Sequence, residues 1–331
     1  MRDMTNPIQY DLLGIGNAIV DVLSMCEERT LTHLGLRKGG MALIDEARAE
    51  ALYRQMGPAT ECSGGSAANT VAGLASLGGR AAFIGKVKND QLGEIFRHDL
   101  RSLSVRFDTA AAATGPATAR CLIFVTPDAQ RTMNTFIGAC AGVSEADIDE
   151  ALIAAAAITY AEGYLWDTPS AKAAIDKALT AARRAKRATA LTLSDTFCVE
   201  RHRDTFIPLV RRTVDILFAN EAEICALAQC NTLEDALGTV RGWCPIIAVT
   251  RSEKGCIVLS DQDRCEVAAE YVPNVIDTTG AGDLFASGFL YGISRGLTLP
   301  ECARLGNRCA ASIIQQMGAR SQQGLATLAA A

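Results

Sequence analysis

The chain has 331 residues, 49% of them hydrophobic and only 5% aromatic, and its formal net charge is −5. That acidic balance argues against a nucleic-acid partner, because binding a phosphate backbone needs a basic surface, and the alanine-rich, interrupted apolar runs argue against a membrane span. The length suits a large α/β core, and the small aliphatic residues suit helices packed closely on a sheet.

Residues 10–17, Tyr-Asp-Leu-Leu-Gly-Ile-Gly-Asn, read as a buried strand ending in a tight glycine turn. Gly14-x-Gly16 begins a dinucleotide-binding fingerprint, but Ile19 stands where its third glycine belongs and 18–26 continue as strand, so that function is set aside. Asn17 and Asp21 are polar groups flanking this buried segment; a turn cap and a solvent-facing strand position explain them as well as ligand binding does. Strands at 20–26, 40–44, 119–126 and 131–137 fall outside the strand–helix rhythm of the rest. The polar turn at 127–130 joins the last two into a hairpin, which can pair with the first two as a small separate sheet. A small sheet inserted at two points of an α/β chain reads as a lid, here spanning about 18–45 and 110–138, with 1–331 otherwise forming one domain.

Residues 62–70, Cys-Ser-Gly-Gly-Ser-Ala-Ala-Asn-Thr, open a helix of small residues over 71–77. Gly64 and Gly65 allow the backbone to approach a ligand and Asn69 projects from the first turns, although close packing on a sheet would also call for small residues. Gly85-Lys86-Val87 resembles the end of a nucleotide-binding P-loop but lacks its first glycine, replaced by Arg80, and its final hydroxyl, replaced by Val87. Helices from Asp90, from Ser144, at 170–186, from Arg203, at 221–228 and at 233–241 then alternate with strands near Val105 and at 158–161, 189–193, 214–218 and 246–250. This predicts a largely parallel sheet covered on both faces, with ligands beyond the strands' carboxyl ends, where Asn17, Asn220 and Thr250 fall. Residues 257–259 and 265–272 add antiparallel strands, and a helix over 300–317 closes the sheet. The basic cluster Arg183, Arg184, Lys186 and Arg187 reads as a solvated helix end.

The stretch 277–283, Asp-Thr-Thr-Gly-Ala-Gly-Asp, organises the whole chain. Gly280 and Gly282 permit a tight turn, and the spacing of Leu284, Phe285, Phe289 and Leu290 starts a helix at once. A helix N-terminus carries unpaired N–H groups that stabilise phosphate oxygens, and Asp283 in its first turn, held ionised by the dipole, suits a base that accepts a hydroxyl proton. The twelve cysteines never form C-x-x-C, so reduced, mostly buried thiols are expected in a cytoplasmic chain without a signal peptide. None of the three histidines sits in a hydrolase or metal motif.

Together with Gly64-Gly65-Ser66-Ala67-Ala68-Asn69, Gly85-x-Val87-x-x-Asp90-x-x-Gly93, Asn220-x-x-Glu223 and 250–255, the 277–283 motif resembles the ribokinase-like, or phosphofructokinase-B, family of carbohydrate and nucleoside kinases. The resemblance spans nearly the whole chain. It implies a three-layer fold with a mostly parallel central sheet and a small β-sheet lid, and an ATP-dependent phosphotransferase. It implies Asp283 as the base, the amides of Gly280, Ala281 and Gly282 as an anion hole, and Arg131 reaching the phosphates from the lid. Asn220 and Glu223 would arrange Mg²⁺, Glu223 through water; Thr250, Ser252, Gly255 and Asn307 would border ATP; and a monovalent cation could sit near Asp277 and Thr279, as in some relatives. Asp21, Gly64, Gly65 and Asn69 would bind the acceptor.

Residues 14–21 and Arg131-Thr132-Met133-Asn134 are similar to the adenosine-kinase branch, in which Asn17 and Asp21 would hold the ribose. Ile19, Met41 and Met133 are apolar positions a purine would bury, and Tyr164 and Trp166 are the rings available to stack on it. The alternatives are a sugar kinase acting on ribose, fructose or 2-keto-3-deoxygluconate, and a non-catalytic ligand-binding protein on the same fold. The expected partners are small molecules alone, with no nucleic acid or membrane, and the chain would be a monomer or homodimer.

Overall fold

The computed structural model describes residues 7–128, 130–261, 263–321 and 323–329. In chain order the strands are β1 Tyr10–Ile15, β2 Ile19–Met25, β3 Met41–Leu43, β4 Ala59–Ser63, β5 Ala81–Ile84, β6 Ala119–Val125 and β7 Arg131–Phe136. They continue with β8 Ala156–Glu162, β9 Ala188–Thr192, β10 Ile216–Asn220, β11 Ile246–Thr250, β12 Cys256–Ser260 and β13 Arg264–Val267. Eight of them form one sheet in the order β13-β12-β11-β10-β9-β8-β1-β5. Every pairing in it is parallel except those of β12 with β11 and β13. The central strands are near-continuous apolar runs because both faces are covered. In β1, Leu12 joins the core beneath the helices Ser66–Ser76 and Ala281–Ser294, while its neighbour Leu13 joins the core beneath Pro169–Arg184 and Thr196–Thr213. The α/β architecture is therefore three-layered, as expected.

The expected small sheet is present, in the order β3-β7-β6-β2-β4. Of the turn at 127–130, Ala129 lies outside the described residues. β4 was not anticipated: Ala-Thr-Glu-Cys-Ser has no apolar run, and it is an edge strand that β2 recruits by antiparallel pairing. The small sheet is tied to the rest at Asp90, whose carboxylate caps Gly93 N at 2.9 Å and accepts from Thr118 N at 2.8 Å and Thr118 Oγ1 at 2.6 Å, just before β6.

Three expectations need correction. No strand forms near Val105: Ser104 turns the chain at φ 60°, and only an isolated bridge between Ala82 and Arg106 follows before Phe107 enters the core. The helix expected from Arg203 begins at Thr196, because Asp195 caps it by accepting from Cys198 N at 2.6 Å. From Ser144 there is only a short 3₁₀ turn, with the helix delayed to Glu150–Ala154.

Candidate active site

At the carboxyl edge of the large sheet, Gly280 adopts φ 79°, and a Cβ there would lie 2.7 Å from Ala319 Cβ. Glycine alone fits this turn into the Ala281–Ser294 helix. The first helical bond runs from Leu284 N to Gly280 O at 2.8 Å, and the amides of Gly282 and Asp283 are left for other partners. Of the three amides expected as an anion hole, that of Ala281 already donates to Thr278 O at 3.2 Å. A Cβ on Gly282 would meet nothing within 4 Å, since this residue faces a cavity of about 850 Å³.

The sequence-predicted residues Asn220, Glu223, Thr250, Ser252, Gly255 and Asn307 all line this cavity. Asn220 and Glu223 cap the Glu221–Ala228 helix reciprocally: Glu223 N donates to Asn220 Oδ1 at 2.9 Å, and Asn220 Nδ2 and N donate to the Glu223 carboxylate at 2.6 and 3.0 Å. Burial pushes the Glu223 carboxyl up to about 7. Asn307 spends its amide on Val267 O and Ala268 O, so it braces the cavity wall. Tyr271, 89% exposed on the cavity rim, supplies an aromatic ring that no sequence motif marked.

Asp283 stands where the cavity meets the Ser66–Ser76 helix. Its Oδ1 accepts from Ser66 Oγ at 2.6 Å and its Oδ2 from Asn69 Nδ2 at 3.0 Å. The dipole was expected to hold this carboxyl ionised. Instead burial outweighs the favourable contacts and raises it to about 6, while the Ser66 and Asn69 bonds oppose the rise. A carboxylate titrating there is ionised at neutral pH and basic enough to take a proton from an alcohol approaching an electrophile.

Beyond Asp283 lies the small sheet. The Asp21 carboxylate lies against the backbone of Gly64, where a Cβ would come within 2.6 Å of it, and Gly65 at φ 90° passes beneath the Asn17 carbonyl. Burial raises the Asp21 carboxyl to about 7 against the pull of Arg320 and Arg131. Asn17 does not face outward beside it. Its N and Nδ2 both donate to Glu162 Oε1, at 2.7 and 2.6 Å, and Glu162 Oε2 accepts from Ala67 N at 2.8 Å. Glu162 is fully buried at the end of β8 and is raised to about 7 by that burial. A lone Glu after an apolar strand carries no motif, so sequence reasoning passed over it, as it did Ser66 and Arg320.

Arg131 reaches from β7 to the motif itself: Nη2 lies 2.5 Å from Asp277 Oδ2, and Nη1 donates to Thr279 Oγ1 at 2.7 Å. Asp277 also accepts from Thr279 N, Thr279 Oγ1 and Gly318 N at 3.0, 2.7 and 2.8 Å. A guanidinium thus neutralises this carboxylate, and the residues do not fit a monovalent cation. Met41 and Met133 lie opposite one another in the β3–β7 register, Met41 exposed, and Ile19 is buried at the start of β2. Tyr164 donates its hydroxyl to Ser194 O at 3.2 Å. Trp166 is not available to a ligand: it packs in the large-sheet core against Phe206 and donates to Thr205 Oγ1.

The family model described as pfkB family carbohydrate kinase matches residues 46–324. A probable sugar kinase of Rhizobium etli, of known structure, superposes with a TM-score of 0.92 at 48% identity, covering 98% of each chain. An adenosine kinase of Sinorhizobium meliloti superposes with a TM-score of 0.91 at 50% identity over 97% of this chain and 98% of that one. A cytidine kinase of Thermococcus kodakarensis is 38% identical over 120 residues, 36% of this chain and 43% of that protein.

Proposed function

Because the chain belongs to the pfkB family of carbohydrate kinases, and is therefore an ATP-dependent kinase acting on a hydroxyl group, we propose that it moves the γ-phosphoryl group of ATP to the 5′-hydroxyl of adenosine. Family membership also sets aside the non-catalytic reading. One observation carries the proposal: Asp283, held by Ser66 and Asn69, separates the open cavity from the Asp21 side of the site. ATP lies in the cavity between Thr250, Ser252 and Gly255, its transferring phosphate against the amides after Gly280. The acceptor lies toward Asp21, Gly64, Gly65 and Asn69, and Asp283 takes its proton as the oxygen attacks. Charge developing on the phosphoryl oxygens is met by the free amides of the helix start and by Arg131, whose guanidinium already borders the motif.

Among the described residues no three His, Cys, Asp or Glu side chains gather into a metal cage. The donor set fits Mg²⁺, which keeps most of its waters and takes one or two carboxylates plus phosphates; Glu223, with Asn220 orienting it, would hold those waters. The ion would neutralise phosphate charge when bound.

Adenosine is favoured by the 50%-identical relative named for it and by the apolar side chains Met41 and Met133 on the acceptor side; Ile19 is already buried by the fold and adds nothing. Burying ~100 Å² of apolar surface at about 25 cal/mol per Å² is worth roughly 2.5 kcal/mol, some seventyfold in binding before ordering costs. A free sugar gains nothing comparable. One observation favours a sugar kinase instead: Trp166, one of the two rings expected to stack on a purine, is locked in the core. Measuring kcat/KM for adenosine, ribose, fructose and 2-keto-3-deoxygluconate decides between them, and ribose or fructose turned over as efficiently as adenosine would overturn the nucleoside reading.

A further inference from the structure

We propose that Arg320 is a positioning residue for the base: by donating to Asn69 Oδ1 it turns the amide nitrogen of Asn69 toward Asp283. The inference rests on Asp283 being the base. Arg320 follows the last long helix and lies over the Phe96 ring, 5.7 Å from its centroid. Its Nε donates to Asn69 Oδ1 at 3.3 Å and its Nη2 to Gly64 O at 3.4 Å, while Nη1 is buried without a protein acceptor.

A guanidinium has no acceptor atom, so the amide beside it must present its oxygen. The other end of Asn69, its NH₂, is then aimed at Asp283 Oδ2, where it donates at 3.0 Å. The two ends of an amide are nearly the same size, so packing alone does not choose between them. Without Arg320 the amide can turn, set a lone pair against the carboxylate and favour its protonated form. The groups facing Asp283 are Ser66 and Asn69 on the Ser66–Ser76 helix, Asp21 on β2, Tyr160 and Glu162 on β8, Tyr164 after it, and Glu223. Those facing Arg320 are Asp99, Cys62 and Asp21. Arg320 reaches Asp283 through Asn69, whose Oδ1 it holds and whose Nδ2 donates to the carboxylate.

The test is the acid limb of kcat against pH at saturating ATP and adenosine. Arg320→Met should move that limb up by about half a pH unit or more, with kcat below it about threefold lower and the KM for ATP unchanged. In Arg320→Gln the amide nitrogen stands where Nε stood, and the wild-type limb should return without the charge. Arg320→Lys keeps the charge but puts a methylene there, and the limb should shift as in Met; this variant decides if Arg320→Met does not fold. In an Asn69→Ala background, adding Arg320→Met should give no further shift. A wild-type limb in Arg320→Lys, or an equal shift with Asn69 absent, overturns the inference. Loss of turnover in Asp283→Asn alongside an unmoved limb in the Arg320 variants sinks the positioning role alone, whereas full turnover in Asp283→Asn sinks the base and with it this inference.

Discussion

The two sides of Asp283 are made of different materials. The cavity side combines backbone amides and a capping box with an apolar wall that includes Phe218, Phe285 and Ile314, around about 850 Å³ of open space. The small-sheet side is filled with charge: Asp21, Asp277 and Asp283 against Arg131 and Arg320, with Asp277 and Arg131 in direct contact. Backbone donors come with the fold and need no counter-ion, so the cavity can stay open until a polyanion enters. Buried side-chain charges must be paired, and pairing draws the small sheet onto the motif. Substitutions should therefore differ in kind, changing metal demand on the cavity side and, on the charged side, stability together with the handling of base, phosphate and acceptor.

The sharpest break falls at the boundary. Asp283→Asn should lower kcat by at least ~10²-fold while nucleotide and acceptor binding persist, because the amide keeps the shape and loses the base. With the Asp283 carboxyl near 6, wild-type kcat should fall tenfold per pH unit below that value, and the residual activity of the variant should lack the limb. Steady-state kinetics from pH 5 to 8 reads both; unchanged turnover removes Asp283 from the mechanism.

On the charged side, Arg131→Met should cost about 3 kcal/mol in urea unfolding, since it leaves the Asp277 side chain, only 4% exposed, without its cation. Adding Asp277→Asn should recover part of that loss. If the single variant is as stable as wild type, the contact is not holding the small sheet.

Glu162 ties Asn17 to the start of the Ser66–Ser76 helix, and its effect should be pH-dependent. Its folded pKa of about 7 exceeds the ordinary value of 4.5, so its contribution to stability is complete below about 4.5 and is lost as pH rises through 7. The wild-type unfolding free energy should fall by up to about 1.4 kcal/mol per pH unit across this window on its account. Glu162→Gln should flatten that slope, and identical slopes would show that Glu162 does not titrate there.

The smallest effect belongs to the cavity side. Glu223→Ala should raise the Mg²⁺ concentration giving half-maximal rate by a few-fold to about tenfold, since the protein acts on this ion through its waters. An unchanged metal titration would place the ion elsewhere.

The local features were legible in the sequence because their causes are local. Alternating apolar strands and helices depend on neighbours within a turn or two, and the helix start at Gly280–Asp283 and the capping box Asn220-x-x-Glu223 are written in residues three apart. What could not be read was where side chains point across the fold. Asn17 looked free to bind a ligand, but its amide nitrogen is committed to Glu162, 145 residues away, and Trp166 looked free to stack and is core.

By itself, then, the sequence determined the layered α/β plan, four of the five strands of the small sheet, and most of the polar residues of the cavity, since periodicity, capping and glycine turns are short-range properties. Only the tertiary structure decided the electrostatics. Arg131 meets Thr279 across 148 positions and Arg320 meets Asn69 across 251, and these meetings, with the burial of Asp21, Glu162, Glu223 and Asp283, set how each carboxyl titrates. Desolvation and charge pairing depend on distance in space, which a linear pattern does not contain.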